Sequence, residues 1–102
     1  MNAARLKKLY GISVADWQVL TASGRCPLCQ LPYSDKPARR PTLDHSHATL
    51  RARGVTCSAC NYFIGLRSDD PGWYERAAQY LRHPPADELL DGPRRPASAP
   101  PQ

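Results

Sequence analysis

The sequence has no long apolar run, and its large apolar side chains are few: one Phe, one Met and two Trp in 102 residues. No stretch approaches the roughly 20 apolar residues that span a bilayer. The N-terminus MNAARLKKLYG has basic residues with no apolar core behind them and no small-residue cleavage site, so it does not read as a signal peptide. Both absences point to a cytosolic protein without a membrane role. The last 19 residues hold six of the eleven prolines and are expected to be a disordered tail, residues 84–102. Residues 1–83 then have to form one small domain, and a domain of that size buries a modest fraction of its surface. Such a domain gains from a metal staple. No internal repeat is present.

An acidic surplus is also missing. Up to His83 there are twelve Lys and Arg against six Asp and Glu, or +6, whereas the tail has two Arg against three acids, or −1. The folded part is therefore the basic part, which suits a polyanionic partner such as nucleic acid. Arg39 and Arg40, in the proline-rich loop Leu31–Pro41, are within reach of phosphates or are ordinary solvated charges. Both readings stand at this level.

Helical spacing and end signals predict a first helix over residues 2–10, stopped by Gly11, and a second started by Ser13 with Asp16 three residues on. Ile12 is placed to staple onto Trp17. Val14, Trp17 and Leu20 are expected to form a buried stripe, and Gly24 to stop the helix. Thr42–Asp44 and Ala52–Thr56 read as a strand and its return, joined by a turn at Ala48–Arg51, with Gly54 at a bend or bulge. A third helix begins at Cys57 or Ser58 and ends near Gly65. Asp70 and Pro71 open a last one, whose face of Trp73, Ala77, Tyr80 and Leu81 is expected to be core. The class is small α+β.

What the chain does have is four cysteines, in two CxxC pairs: Cys26 and Cys29, then Cys57 and Cys60. In a reducing compartment two matched pairs point to metal before disulfides. Four thiolates satisfy tetrahedral zinc and leave no open position, so this zinc is structural. The 27-residue gap between the pairs implies an insertion, and the insertion carries LDHSH at residues 43–47. Asn61 directly follows the last cysteine. A carboxylate (Asp44) and an amide oxygen (Asn61) suit a hard cation, and an imidazole beside it suits general-base hydrolysis of a phosphodiester. The residues alone leave this open against a pure zinc-binding module.

The succession YGIS, CPLC, LDHSH, RG two residues before CSACN, and the closing AAQYL resembles the phage endonuclease VII branch of the HNH, or His-Me finger, nucleases. The resemblance covers roughly residues 5–82. It implies a ββα-metal, treble-clef-like finger with flanking helices, a four-cysteine zinc, and nuclease activity dependent on Mg2+ or Mn2+. It further implies Asp44 and Asn61 as ligands of the catalytic cation, His45 as the general base, and His47 in a supporting part, orienting phosphate or water. Arg53 matches the arginine of the return strand, where phosphate contact and hairpin packing are both open. With Arg39, Arg40 and Arg51 it is a candidate for binding nucleic acid. Longer members of the family have a third acid soon after the Asn, where this chain has Ile64. Junction-resolving members also have a long helical C-terminal extension that builds a dimer. The expectation is therefore a monomer or weak dimer that nicks or cuts ordinary duplex DNA with low sequence selectivity, in a bacterial host and encoded by a phage. Phage recombination or packaging proteins are candidate partners. The alternatives are a non-catalytic zinc module that binds nucleic acid and a Holliday-junction resolvase.

Overall fold

The computed structural model describes residues 2–97. The end of the expected disordered tail, residues 98–102, lies outside them. The chain divides into two compact units, Met1–Asp69 and Asp70–Gln102. The first contains helices α1 (Ala3–Tyr10) and α2 (Val14–Leu20), a 3-10 turn at Pro37–Arg39, strands β1 (Pro41–His45) and β2 (Ala52–Cys57), and helix α3 (Ser58–Gly65). The second contains α4 (Pro71–Arg82) and α5 (Pro85–Leu89). This is a small α+β architecture with a two-stranded antiparallel sheet. Among the described residues no helix is long and apolar enough to cross a membrane.

The helix ends follow local chemistry. Asn2 caps α1 by accepting from the Arg5 backbone at 2.8 Å, and Gly11 closes it at φ +68°, a left-handed turn that glycine adopts without steric cost. Ser13 and Asp16 form a reciprocal capping box on α2, with Ser13 Oγ accepting from the Asp16 N–H and the Asp16 carboxylate accepting from the Ser13 N–H. Those bonds hold the Asp16 carboxyl below its usual pKa. Helix α2 stops at Leu20, capped by Thr21, rather than running on to Gly24.

The core of the first unit is Leu6, Leu43 and Val55, with Tyr10, Ile12, Trp17, Tyr33 and Ala52 packed around it. Leu43 and Val55 are directly opposed across the sheet and so share one face. The Tyr33 hydroxyl donates to the Val55 carbonyl at 2.8 Å and ties the loop after the first cysteine pair to the hairpin. Trp17 is half-buried against this core, and Ile12 packs on the same cluster. The rest of the expected α2 stripe is not buried: Val14 and Leu20 are exposed. A two-turn helix set against so small a core has room to pack one large side chain on it, and Trp17 takes that place.

The hairpin carries an irregularity beside Gly54, where a bend or bulge is expected, but not at it. Asp44 pairs with Gly54 and His45 with Ala52, so Arg53 is an extra residue bulged from β2. In an unbroken ladder Arg53 would oppose His45 and project from the face opposite Asp44. The bulge removes that restriction, and Arg53 reaches Asp44.

In the second unit Asp70 caps α4 by accepting from the Gly72 N–H at 3.0 Å, with Pro71 in the first turn. Two expectations fail here. Trp73, Tyr80 and Leu81 are exposed, with Ala77 half-buried, so the α4 stripe is not core. Periodicity reports which side chains share a face; burial also requires a second element to cover it. The segment after Pro84 is not featureless either, because Pro85–Leu89 forms a short helix.

Replacing Ser13 with Ala removes half of the capping box and should lower stability by about 1 kcal/mol. In a domain this small that corresponds to a fall in Tm of roughly 4–8 °C in a thermal melt. Ser13→Thr, which keeps the acceptor, should lose much less.

Candidate active site and metal centre

The first cysteine pair sits on a tight knuckle. The Cys26 N–H donates to Leu31 O and the Gln30 N–H to Cys26 O, with Gln30 in a left-handed conformation and Arg25 bridged to Pro32. The second pair spans the start of α3, where Cys57 is the N-cap and its sulfur accepts from the Cys60 N–H. All four sulfurs lie within 4.8 Å of one another, and Cys29 Sγ is 3.9 Å from Cys57 Sγ. Tetrahedral zinc with Zn–S bonds of about 2.3 Å separates its sulfurs by about 3.8 Å, so the cluster fits that ion.

The thiols differ in acidity. The Leu31 N–H and the Arg39 guanidinium push the Cys29 thiol down to about 6. Burial and the neighbouring sulfurs push Cys60 up to about 12. Four thiols this close cannot all ionise unless a cation stands between them. Arg39 NH1 donates to both Cys29 Sγ (3.3 Å) and Cys57 Sγ (3.1 Å), and its NH2 donates to Pro32 O. Of the two arginines weighed as phosphate ligands, Arg39 is thus turned onto the sulfurs. Arg40 donates to Asp35 O through Nε.

Helix α3 starts at the sulfurs and packs on β1 and β2, which brings Asn61 to the end of β1. Asp44, His45, His47 and Asn61 line one open cleft of about 280 Å³ with Tyr62 and Leu66. The four residues expected to make a site are therefore together. His45 lies two residues past Leu43 on the strand, and its ring rests on Tyr10 with centroids 4.9 Å apart. The His47 ring is 5.4 Å from that of His45.

Asp44 is buried and is gripped by Arg53, whose Nε and NH2 donate to its two oxygens at 2.7 and 2.9 Å. Arg53 thus braces the hairpin through a bidentate ion pair. Arg51 is exposed in the turn before β2, where its backbone N–H donates to Thr49 Oγ1 at 3.3 Å. A carboxylate offers about four lone-pair positions, of which Arg53 uses two, so Asp44 retains the capacity to hold a cation together with Asn61.

Asp69 is the residue that reasoning from sequence missed. Its Oδ2 is 2.9 Å from His47 Nδ1 and accepts from the His47 backbone N–H at 3.2 Å, while its Oδ1 accepts from Arg53 NH2 at 3.0 Å. His47 and Arg53 together hold the Asp69 carboxyl far below its usual pKa. One signal was available in the sequence: of the two acids before Pro71, Asp70 is used by the helix cap, which leaves Asp69 without a local task.

Comparison with known proteins agrees with this geometry. The chain is 36% identical over 89 residues to the Gene 59 protein of Mycobacterium phage L5, and 34% identical over 89 residues to the Gene 59 protein of Mycobacterium phage D29. Each alignment covers 84% of this chain and 53% of the phage protein, so the chain spans about half the length of these curated relatives. No solved structure matches. The model of the family described as recombination endonuclease VII matches residues 3–83, a span that holds the cysteine cluster, the cleft and α4, and the chain belongs to that family.

Proposed function

We propose that the chain is a metal-dependent DNA endonuclease of the HNH type, with a ββα-metal site formed by β1, β2 and α3. The observation that carries this reading is the convergence of Asp44, His45, His47 and Asn61 on one cleft beside a four-sulfur cluster, in a member of the endonuclease VII family. The family match over residues 3–83 supports taking that span as the nuclease module, and the phage relatives support a phage origin.

In this reading zinc is structural and is held by Cys26, Cys29, Cys57 and Cys60. Asp44 and Asn61 hold Mg2+ or Mn2+. That cation, when bound, supplies Lewis-acid stabilisation of charge on the phosphoryl and leaving oxygens. His45 accepts a proton from water through an imidazole nitrogen as the water oxygen bonds to phosphorus and the bond from phosphorus to the leaving sugar oxygen breaks. The packing of His45 on Tyr10 limits its rotation, which favours a fixed direction of proton transfer. Arg40 and Arg51, both exposed, are the arginines of the original four best free to meet phosphates, since Arg39 and Arg53 are occupied by sulfur and carboxylate. Backbone contacts of this kind carry little sequence information, in keeping with low selectivity.

Purified protein should contain about one zinc per chain by elemental analysis, and Cys57→Ser should lose both the metal and the fold. Arg39→Ala should keep the fold but release zinc more readily, with an affinity about 10- to 100-fold lower in a competition against a chelator. Unchanged affinity would mean that the Arg39 contacts to sulfur have no part in metal retention.

Plasmid DNA should be nicked or cut only when Mg2+ or Mn2+ is added. His45→Ala should slow cleavage by about 10²- to 10⁴-fold with zinc content unaltered. Equal cleavage by wild type and His45→Ala, after removal of contaminating nuclease, would refute the mechanism. If the zinc-loaded, folded wild type cuts no DNA tested, the chain is instead a non-catalytic zinc module.

A further inference from the structure

We propose that Asp69 is a positioning residue of the cleft: it fixes His47 with its hydrogen on Nδ1, so that the other ring nitrogen, Nε2, acts as a hydrogen-bond acceptor toward water at the site. This deepens the nuclease reading and rests on it for the role in cleavage. The pairing of Asp69 with His47 stands on geometry alone.

An ionised carboxylate can only accept hydrogen bonds. Asp69 Oδ2 lies 2.9 Å from His47 Nδ1, so the hydrogen between them belongs to the imidazole. In a neutral ring the second nitrogen is then bare. The same oxygen accepts from the His47 backbone N–H, so ring and main chain are held by one atom and the ring has little freedom to turn away. The ring also comes near α3, where a methyl group built on Gly65 would sit 3.6 Å from His47 Cε1.

Asp69 is itself anchored. Its Oδ1 accepts from Arg53 NH2, and Arg53 grips both oxygens of Asp44. The chain Asp44–Arg53–Asp69–His47 thus ties the candidate cation ligand to the second histidine through alternating charges. The backbone is bent to allow it, with Ser68 at φ +54° and Asp69 at φ +58°, consecutive left-handed residues neither of which is glycine. Such conformations gather where the surroundings impose them, often at functional sites. The assignment also decides between the two supporting parts open to His47. A bare Nε2 orients water by accepting from it, whereas orienting a phosphate oxygen would need a donor at that atom.

The ring 15N spectrum of the zinc-loaded wild type tests the pairing without reference to cleavage. It is recorded at about pH 8, above the ordinary imidazole pKa of about 6.5, and the His47 signals are identified by their loss in His47→Gln. The expected result is a protonated Nδ1 and an unprotonated Nε2, and in Asp69→Ala the proton should move toward Nε2. In a magnesium-supported cleavage assay Asp69→Ala should lower kcat by about 10- to 100-fold with KM little changed and zinc retained. Asp69→Asn should fall between, because its amide oxygen still accepts from Nδ1–H. If the Ala variant does not fold, the wild-type spectrum and the Asn variant decide the matter. A wild-type His47 protonated on Nε2 would overturn the proposal, and so would an Asp69→Ala protein with wild-type kcat. A wild type that shows the Nδ1–H form yet cuts no DNA would remove the nuclease reading and leave the pairing supported.

Discussion

The first unit depends on the distance between two short pieces of chain, the knuckle at Cys26–Cys29 and the first turn of α3 at Cys57–Cys60. Four sulfurs within 4.8 Å of one another span that distance, close enough for one zinc ion to fix it. The apolar core could not do so alone, because among the described residues only Leu6, Leu43 and Val55 are buried in it besides cysteine. Once Cys57 is fixed as the cap of α3, the direction of the helix is fixed too, and Asn61 comes to the end of β1 within the next turn. Arg39 belongs to the same constraint. Its guanidinium spans two sulfurs and a loop carbonyl, so the proline-rich segment before β1 is held down by charge where apolar contacts are scarce.

Much of this was legible in the sequence, because it rests on local rules. Ser13 with Asp16, Gly11, Cys57 and the pair Asp70–Pro71 each announce a helix end through hydrogen bonds made within a few residues. The two CxxC pairs announce a cluster through spacing alone, and the DHSH run with Asn61 announces a cleft once the cluster is granted. What failed were statements about burial. Val14, Leu20, Trp73, Tyr80 and Leu81 all fall at helical spacing, yet all are exposed. Their periodicity is an intrinsic property of each helix, and the surface that would cover them is not.

The illegible part of the site is its charge network, for a related reason. Arg53 and Asp69 are 16 residues apart and meet Asp44 and His47 only after a bulge and two left-handed residues have redirected the chain. Each of those irregularities is small and none has a strong composition signal. Together they convert four ordinary charged or titratable side chains into one connected set. Family resemblance could name Asp44, His45, His47 and Asn61 because their order along the chain is a motif. Asp69 has no such position, and it meets His47 only in the folded chain.

The bulge at Arg53 also bears on how the hairpin responds to selection. Deleting that single residue would give β1 and β2 an uninterrupted ladder with Asp44 still beside Gly54, a shorter and more regular hairpin by any measure of backbone pairing. It would also leave a buried carboxylate with no counter-charge and Asp69 with one partner fewer. A search that rewarded regularity alone would therefore arrive at a tidier protein with a disconnected cleft. In a chain with so little core, the extra residue is better regarded as part of the working apparatus than as a defect in the sheet.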